Sequence, residues 1–588
     1  MSAESPLRPV WCCSLAFACV VFGAECSTSD TANPDEEPQG SGGTETSGTT
    51  GASTGVGGSN GGVGGNTSTT GTTGGGGPGG GAVGGSGGMV GMGGSPGTGG
   101  GALISATGPS VLMHHKSPSR DGVYVDTAFT KVAAAKLHMD TAFKATTMGP
   151  TYAQPLFVDG GGGGKDLVLV ATEENQVYAL NATSGAVVWQ KKLGNNVATS
   201  SLPCGNINPL GITGTPVVDA ASRTMFVDAM TSADGGTTKK HLIFAMSLDD
   251  GSTRAGWPFD VSTVKAGAVA FDPAVQNQRA ALLLLNGTLY VPYSGHFGDC
   301  GGYHGWVVGV PIANPSGAKG YATQSQAGGI WGVSGPSTDG TSIFVATGNT
   351  FSGNTWGHGE AVLKLQPGPV FSAQAADYFT PSDWKSLDNG DTDLGGTNPI
   401  LIDVPGATPS KLAVALGKNG VAYLIDRTNL GGIGKGNGTT GEAVASAKVS
   451  SGQIINAPAA YTTALATYVV FRGGGVGCPG GNSGDLTALK ISATSPPQIS
   501  VAWCAKQNGG GSPMVTTPDG KSDMIVWGLG AGGDGRLHGF DGDTGAVVFN
   551  GGGAMDGMSA IQGNETAIAA KGRMFVAAQN AVYAFTTQ

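Results

Sequence analysis

The sequence predicts an all-β protein, an eight-bladed β-propeller of four-stranded antiparallel blades that follows a disordered glycine-rich tether. Three observations lead to this prediction. A proline-led apolar motif returns about every 60 residues, each period holds short apolar runs separated by turns, and 107 of the 588 residues are glycine. A long coiled coil is excluded because it needs about half Ala, Glu, Lys, Leu and Arg. Collagen is excluded because the glycines cluster instead of recurring at every third position.

A small or polar residue, a proline and an apolar run mark the start of most periods. The prolines are Pro155, Pro216, Pro336, Pro399, Pro458 and Pro513. Their spacings are 61, 120, 63, 59 and 55 residues, and the spacing of 120 is two periods with one proline missing near residues 279–282. A proline suits the first residue of a strand, where its missing N–H is not needed. Blades are predicted to begin near residues 155, 216, 277, 336, 399, 458, 513 and 558.

Each period continues with two apolar strands joined by a polar turn, then a tight turn into a last strand that ends in an aromatic residue. The clearest example is 167–172, the turn Glu173–Asn175, 176–180 and 186–189. Four short strands per repeat are typical of a propeller blade. The terminal aromatic residues are predicted to dock between neighbouring sheets, and they are Trp189, Trp257, Trp503 and Phe549.

The last predicted blade begins near Met558 and has 31 residues, which is too few for four strands. The segment Ala133–Asp140 is predicted to supply the missing outer strand. This pairing would close the ring and leave no open sheet edge.

Residues 1–26 are predicted to be an export signal. Val10–Ala24 is apolar over the length of a signal-peptide core and is short for a membrane-spanning helix. Cys26 follows this run and precedes small polar residues, which resembles a bacterial lipoprotein, so lipidation at Cys26 is expected. Cys19 is a competing site, and plain secretion after cleavage at Ala24 is the alternative. We expect an outer-membrane or cell-surface lipoprotein, otherwise a periplasmic or secreted protein.

Residues 27–101 are predicted to be a disordered linker before the folded part, 102–588. Residues 40–101 contain 31 glycines in 62 positions, and Glu45 is the one charged residue among them. Such a stretch cannot bury enough apolar surface to offset the entropy lost on ordering.

Four cysteines lie in the predicted folded part, and an even number in an exported domain favours disulfides. We predict a Cys478–Cys504 disulfide because the residues between them form one hairpin pattern. A Cys204–Cys300 disulfide then follows by elimination.

The string Tyr178–Trp189 resembles the tryptophan-docking repeat of the pyrroloquinoline quinone (PQQ)-type propellers, with Asn181 in place of the usual aspartate. The resemblance implies the eight-bladed quinoprotein-like fold. It does not decide the activity, because this superfamily includes dehydrogenases and non-catalytic propellers such as outer-membrane assembly scaffolds.

The resemblance also implies what a dehydrogenase of this fold would need. Such enzymes hold PQQ between a tryptophan and a disulfide of adjacent cysteines, with a calcium ion that polarises the quinone and an aspartate as base. The one adjacent pair in this sequence, Cys12–Cys13, lies in the signal, and no haem-attachment Cys-x-x-Cys-His occurs. We therefore expect a non-catalytic binding or scaffold propeller and assign no catalytic residue. A PQQ- and calcium-dependent alcohol or sugar oxidoreductase is the alternative.

Candidate ligand-binding residues concentrate in the glycine-rich segment 293–306. They are His296, Asp299, Tyr303, His304 and Trp306, and Trp331 and Trp356 add stacking faces for a sugar or a quinone. A metal set of His296, Cys300 and His304 would need a helix that this glycine-rich loop cannot form, so no metal is predicted there. The competing interpretation is a structural connection stapled by Cys300. Residues 388–395 offer oxygen donors for calcium but lack the closing glutamate, and a solvated turn is their alternative.

The charge pattern limits the partners. The net charge is −10 and no run of Lys or Arg occurs, which excludes a typical nucleic-acid binder. We expect a monomer that binds a protein or a glycan at the cell surface and meets the membrane through its lipid anchor.

Overall fold

The computed structural model describes Leu103, residues 108–434 and residues 443–588. The predicted signal peptide, the lipidation site Cys26 with its competitor Cys19, and the glycine-rich tether lie outside the described residues. Within the described ranges, no helix is long and apolar enough to cross a membrane.

Eight of the nine sheets in the described residues are the blades of a β-propeller, so the predicted fold is confirmed. In every blade we label the strands A to D from the centre outward. The strands of blade 1 are Leu156–Gly162, Lys165–Ala171, Gln176–Asn181 and Val187–Lys192. Those of blade 2 are Val217–Asp219, Thr224–Thr231, Lys240–Ser247 and Phe259–Asp260. Blade 3 has a divided strand A, Gln276–Asn277 and Leu283–Leu285, followed by Thr288–Gly295, Trp306–Pro311 and Lys319–Ala322. Blade 4 has Ser337–Thr338, Ile343–Thr347, Ala361–Leu365 and Tyr378–Thr380, with Gly432–Ile433 parallel to its outer strand.

The remaining blades follow the same order. Blade 5 has Ile400–Asp403, Lys411–Leu416, Val421–Asp426 and Ala445–Lys448. Blade 6 has Ala459–Thr462, Thr467–Arg472, Leu486–Ile491 and Ile499–Ala505. Blade 7 has Met514–Thr517, Ile525–Leu529, Leu537–Asp541 and Val547–Asn550. Blade 8 has Ile568–Ala570, Arg573–Ala578 and Ala581–Thr586 from the chain end. A hairpin of Lys265–Ala266 and Val269–Ala270 and the helices Lys131–Ala134 and Trp384–Gly390 lie outside the blades.

The meander order of the strands gives the propeller two different faces. Consecutive strands of a blade are antiparallel, so the B-to-C turns and the D-to-A connections between blades lie on one face, which we call the upper face. The A-to-B and C-to-D turns lie on the lower face.

Neighbouring blades share apolar cores. Leu169 of blade 1 and Val227 of blade 2 belong to one buried cluster. Phe157 of blade 1 stacks on Phe575 of blade 8 with ring centroids 6.1 Å apart, so the last blade packs on the first.

Two of the four predicted docking residues fasten one blade to the next. The Trp189 indole Nε1 donates to the Leu248 carbonyl at 2.8 Å, and the Trp503 Nε1 donates to the Gly542 carbonyl at 2.9 Å. Gly251 lies against the Trp189 ring, where a Cβ would be 2.6 Å from a ring carbon. Its φ of +69° also favours glycine, so the turn sequence and the indole are matched.

The other two docking candidates pack on apolar clusters that neighbouring blades share, Trp257 on that of blades 2 and 3 and Phe549 on one that includes blades 7 and 8. Trp257 is half-buried and packs on Phe226 of its own blade, with ring centroids 5.4 Å apart. Phe549 is buried and contacts the Trp527 ring at 6.0 Å.

The chain start completes blade 8, with two corrections to the prediction. His138–Met139 pairs with the strand Ala581–Thr586, but residues 131–134 of the neighbouring sequence form a short helix. Ala145–Thr146 pairs with the same strand further along. The predicted start near Met558 is wrong by about ten residues, since strand A begins at Ile568 and the intervening residues form the connection from blade 7.

A segment that precedes blade 1 in the sequence, residues 111–125, lies in the propeller's central channel, and we call it the channel segment. It runs along the inner strands of the blades and hydrogen-bonds to them. Six strand-A amides donate to its carbonyls: Phe157 to Val111, Val218 to Leu112, Thr338 to Pro118, Leu401 to Ser119, Ala460 to Asp121 and Val515 to Gly122. Each of these amides belongs to the second residue after the repeated proline. The repeat therefore places one N–H per blade against the channel segment.

The third blade, which lacks the proline, is reached by a side chain instead. The fully buried Arg120 donates from Nη2 to Leu282 O at 2.9 Å and from Nε to Pro336 O at 3.0 Å. Its Nη1 donates to the carbonyl of His114 at 2.8 Å within the channel segment. Burial lowers the pKa of Arg120 to about 9, and three carbonyls satisfy its donors.

Both predicted disulfides form. Cys204–Cys300 spans 96 residues and joins the connection between blades 1 and 2 to the B-to-C turn of blade 3. Cys478–Cys504 spans 26 residues within blade 6.

Candidate functional site

Trp331 lies on the upper face, in the connection between blades 3 and 4, and it organises the candidate site. Its indole Nε1 donates to Asp393 Oδ2 at 2.9 Å. The next residue, Gly332, accepts a hydrogen bond from the buried Asn398 side chain at 2.7 Å, and a Cβ there would collide with the Asn398 backbone. A glycine after the tryptophan thus lets blade 5 approach closely.

Two cations lie over the Trp331 ring. The Arg279 guanidinium carbon is 5.7 Å from the ring centroid, and Lys418 Nζ is 5.4 Å from it. Lys418 also contacts two carboxylates, Asp391 Oδ1 at 2.9 Å and Asp393 Oδ2 at 3.4 Å. Both cations are within cation–π distance of the Trp331 ring, and Lys418 joins this ring to the two carboxylates.

Asp393 is the carboxylate at the centre of this group. It is 3% exposed, and its Oδ1 accepts from the Asn349 amide at 3.2 Å. Burial raises the pKa of Asp393, Lys418 opposes the rise, and the charges of Asp391 and Asp299 add to it. The carboxylate is therefore a stronger base than an exposed aspartate.

Glu360 adds a second buried carboxylate. It accepts from the Leu394 amide at 2.5 Å through Oε2, while Oε1 has no hydrogen-bond partner within the described residues. Burial, with the charges of Asp393 and Asp388, raises the pKa of Glu360 well above its usual value.

The acidic loop 388–395 is part of the site. Asp388 accepts from the Thr350 amide at 2.8 Å, and burial raises the pKa of Asp388. Residues 384–390 form a short helix, and residues 394–396 form one 3₁₀ turn. The loop that the sequence offered as a calcium loop or solvated turn thus carries buried carboxylates towards Trp331.

Asp299 and Tyr303 border the site. The Tyr303 hydroxyl donates to Asp299 Oδ1 at 2.7 Å, and Tyr303 is 2% exposed. Burial and the nearby charges of Asp299, Asp393 and Asp391 raise the pKa of Tyr303 well above its usual value.

The other candidates of segment 293–306 are held by hydrogen bonds, core packing or a disulfide within the protein. His296 Nε2 contacts Ala274 O at 3.2 Å, and His304 Nδ1 contacts Thr323 O at 2.9 Å. Trp306 is 1% exposed and packs in the core between blades 2 and 3, so it presents no face to a ligand. Cys300 is held in a disulfide and cannot be a thiolate ligand.

Trp356 belongs to a separate aromatic group on blade 4. Its ring stacks on Tyr378 at 4.4 Å and contacts His358 at 5.1 Å, and its Nε1 donates to Gly359 O at 2.7 Å. Of the two tryptophans proposed as stacking faces, only Trp331 is seen in contact with the acidic and basic residues of the site.

A small cavity lies beside Arg279, at His114 of the channel segment. Arg279 lines it together with His114, Asn564 and Glu565. Both carboxylate oxygens of Glu565 lack a hydrogen-bond partner among the described residues, and burial raises the pKa of this side chain well above its usual value.

Sequence reasoning selected Trp331 and the loop 388–395 separately, and it missed Arg279, Lys418 and Glu360. The one available signal for Lys418 was a charged residue in the glycine-flanked turn 417–420, directly after a buried strand. In the parts of the chain that are described, no three His, Cys, Asp or Glu side chains are arranged to hold a metal ion.

Comparison with known proteins agrees with this architecture. A family model described as outer membrane protein assembly factor BamB matches residues 146–295. The quinohemoprotein alcohol dehydrogenase ADHIIG from Pseudomonas putida HK5 is similar with a TM-score of 0.55 at 12% identity, over 82% of this chain and 80% of that chain. The quinohemoprotein alcohol dehydrogenase from Comamonas testosteroni gives a TM-score of 0.52 at 15% identity, over 82% and 80% of the two chains.

A europium-containing methanol dehydrogenase is similar with a TM-score of 0.52 at 13% identity, over 81% of this chain and 98% of that chain. A search of curated proteins finds no match to this sequence. These likenesses show the fold, which is an eight-bladed β-propeller similar to that of the quinoprotein dehydrogenases.

Proposed function

We propose that this PQQ-like propeller is an exported PQQ-dependent oxidoreductase acting on alcohols or sugars, with its site around Trp331. One observation carries the proposal. The Trp331 indole binds Asp393 through Nε1 and holds Arg279 and Lys418 over its face. The two disulfides favour an exported protein. The sequence favoured the non-catalytic class, and the convergence of an indole, carboxylates and cations favours its alternative.

The chemistry of these donors fits PQQ, which is a planar quinone with three carboxylates. Trp331 offers a flat apolar surface for the rings, and Arg279 and Lys418 offer positive charge for the carboxylates. When bound, PQQ would supply the oxidising group that accepts two electrons from an alcohol carbon.

The residues of the chain would supply the proton transfer. Asp393 would accept the proton of the substrate hydroxyl, since its raised pKa makes it a better base. The charge of Lys418 favours the ionised form of Asp393, and the Asn349 amide donates to Oδ1.

The side chains of the site fit a calcium ion less well than they fit PQQ. Carboxylates from Asp388, Asp391, Asp393 and Glu360 surround the site and are ligands that hard cations prefer. Lys418 lies between Asp391 and Asp393, however, and these side chains do not form a ready metal site. The proposed proton transfer therefore relies on Asp393 alone.

Dye-linked oxidation of an alcohol and sugar panel, with PQQ and calcium added to the full chain, tests the proposal. Asp393→Asn keeps an acceptor for the Trp331 N–H but removes the base, and we expect kcat to fall by about 100-fold or more. Trp356→Phe is the matched control, because its ring packs on Tyr378 away from the cluster, and it should keep wild-type turnover. Equal activity of Asp393→Asn and the wild type would reject the assignment.

A non-catalytic binding module is the second candidate. The match of residues 146–295 to an assembly-factor family model favours it. Exposed large apolar side chains are spread over several blades, including Val188, Phe297, Phe351, Leu465 and Val547. This candidate predicts a protein or glycan partner and a Trp331→Ala variant with unchanged partner binding.

A further inference from the structure

Four loops of the upper face are joined by a short ladder of backbone hydrogen bonds that ends at Asp393. Ala327 N donates to Tyr303 O at 2.8 Å, and Gly305 N donates back to Ala327 O at 2.9 Å. Gly328 N then donates to Asn349 O at 2.6 Å. The Asn349 amide makes the last bond of this ladder, to the Asp393 side chain.

The ladder crosses from blade 3 to blade 5 outside the regular sheets. Residues 303–305 belong to the B-to-C turn of blade 3, and residues 327–328 belong to the connection into blade 4. Asn349 begins the B-to-C turn of blade 4, and Asp393 lies in the connection into blade 5. Asp393 is also held from blade 5, since its carbonyl accepts from Lys418 N at 2.8 Å and the next residue, Leu394, is buried in the core of blades 4 and 5. The ladder is the attachment that reaches its side chain from blades 3 and 4.

The outer end of the ladder is fastened by the Cys204–Cys300 disulfide. Cys300 lies three residues before Tyr303, and Cys204 belongs to the connection between blades 1 and 2, with the two Cα atoms 6.0 Å apart. Gly298 packs on this disulfide, since a Cβ there would be 3.3 Å from Cys204 Sγ. The disulfide thus joins this exposed turn of blade 3 to the connection between blades 1 and 2.

Tyr303 fixes the part of the turn that follows Cys300. Gly295 faces the Tyr303 ring, where a Cβ would be 2.5 Å from a ring carbon, and the Tyr303 hydroxyl holds Asp299. The turn from Cys300 to Gly305 is therefore fixed at one end by the disulfide and at the other by the ladder.

We propose that the Cys204–Cys300 disulfide is a positioning clamp, which holds the ladder so that Asp393 stays against Trp331 and Lys418. The inference rests on the proposed function for its effect on cofactor binding, but its effect on the ladder does not. Cys478–Cys504 lies within one blade and makes no part of this ladder, so it provides a matched control.

The test compares two double variants of the full chain, Cys204→Ser with Cys300→Ser and Cys478→Ser with Cys504→Ser. Amide hydrogen exchange of residues 303–305, 327–328 and 349 reports the ladder without any cofactor. A PQQ titration reports the site. We expect the first double variant to exchange at least tenfold faster at these amides and to bind PQQ at least tenfold more weakly. The control double variant should match the wild type in both measurements.

A glycine substitution tests the same ladder with both disulfides intact. A Cβ on Gly305 would collide with Gly328 O, so Gly305→Ala should push the ladder apart and speed exchange at 327–328. Gly317→Ala in the same blade is its control, because its nearest neighbour would be 3.6 Å away. This pair decides the question if the first double variant does not fold.

The outcomes separate the two proposals. Unchanged exchange at 303–305 and 327–328 in both the cysteine and the Gly305 variants would overturn the clamp. Faster exchange in a protein whose wild type binds no PQQ would support the clamp and reject the proposed oxidoreductase. Faster exchange with unchanged PQQ affinity would overturn the claim that the clamp positions Asp393.

Discussion

The predicted docking role of Trp189 can be tested by measuring protein stability. Its indole is 7% exposed, bonds to the Leu248 carbonyl of the next blade and lies against Gly251. Trp189→Ala should lower the free energy of unfolding by about 3–5 kcal/mol, because it leaves a cavity and an unpaired carbonyl. Thermal and urea unfolding measure this, with the exposed Val187→Ala as control. An unchanged melting curve for Trp189→Ala would refute the docking role.

His115 makes the channel segment sensitive to acid. Burial lowers the pKa of His115 from 6.5 to about 4, and the charge of Arg120 adds to the lowering while a hydrogen bond to the Arg120 carbonyl opposes it. The unfolded chain therefore binds more protons between these pH values, and stability falls as pH drops from 6.5 towards 4. The loss attributable to His115 is about 3 kcal/mol. Urea unfolding across this window should show a shallower pH dependence in His115→Gln, and an identical slope would contradict this reading.

Lys418 should set the pH dependence of the proposed activity. Its charge lowers the pKa of Asp393, so Lys418→Met should raise that pKa and move the acidic limb of the kcat/KM profile to higher pH. Lys418→Arg keeps the charge and should leave the limb close to its wild-type position. A limb that moves to lower pH, or does not move in Lys418→Met, would argue against Asp393 as the base.

Part of the candidate site can be predicted residue by residue from the sequence. Trp331 was recognisable as an aromatic residue in a glycine-rich connection, and the aspartates of 388–395 as oxygen donors. Their meeting was not predictable, since it depends on how three inter-blade connections fold over one another. Trp306 has the same residue type and a similar glycine-rich setting, yet it is buried in a core, because burial depends on the register of its strand.

Among the elements, the channel segment should decide whether the propeller forms. It bonds to strand A of six blades and reaches a seventh through Arg120. Deleting residues 108–125 leaves these inner edges without partners, and we expect loss of cooperative unfolding and of soluble monomer.

Deletion of residues 40–101 is the matched comparison for that experiment. This segment lies in the predicted tether, and its removal should leave the melting temperature unchanged while altering surface presentation. Circular dichroism melts and size-exclusion chromatography compare the two deletions. Equal melting behaviour of the two would show that the channel segment does not hold the blades together.

The elements were predictable where the repeat was regular. The prolines located strand A of six blades, and the short final blade indicated that the chain start must complete it. The channel segment was not predicted, because only its last residues, Val123–Val125, form a strand, parallel to strand A of blade 7, and residues 111–122 lack a strand pattern. The segment is held by strand-A amides of a repeat that begins about 40 residues later. These hydrogen bonds form only when the blades surround the segment.

For the whole molecule, the two ends of the channel have different roles. Ser110 Oγ accepts from the Asp159 amide beside the lower A-to-B turn of blade 1, so the chain enters the channel from the lower face. The channel segment rises to the cavity at His114, and Trp331 and Asp393 lie on the upper face. The site thus opens away from the face where the preceding chain enters.

The proposal that the Trp331 cluster binds a quinone is tested most directly by an equilibrium titration of the full chain with PQQ, followed by tryptophan fluorescence and PQQ absorbance. We expect saturable PQQ binding at one site and quenched tryptophan fluorescence. Both signals should be greatly weakened in Trp331→Ala and retained in Trp356→Phe. Absence of saturable binding by the wild type, or equal binding by Trp331→Ala, would contradict the claim that the Trp331 cluster is a quinone site. A binding module would then be the better description of this propeller.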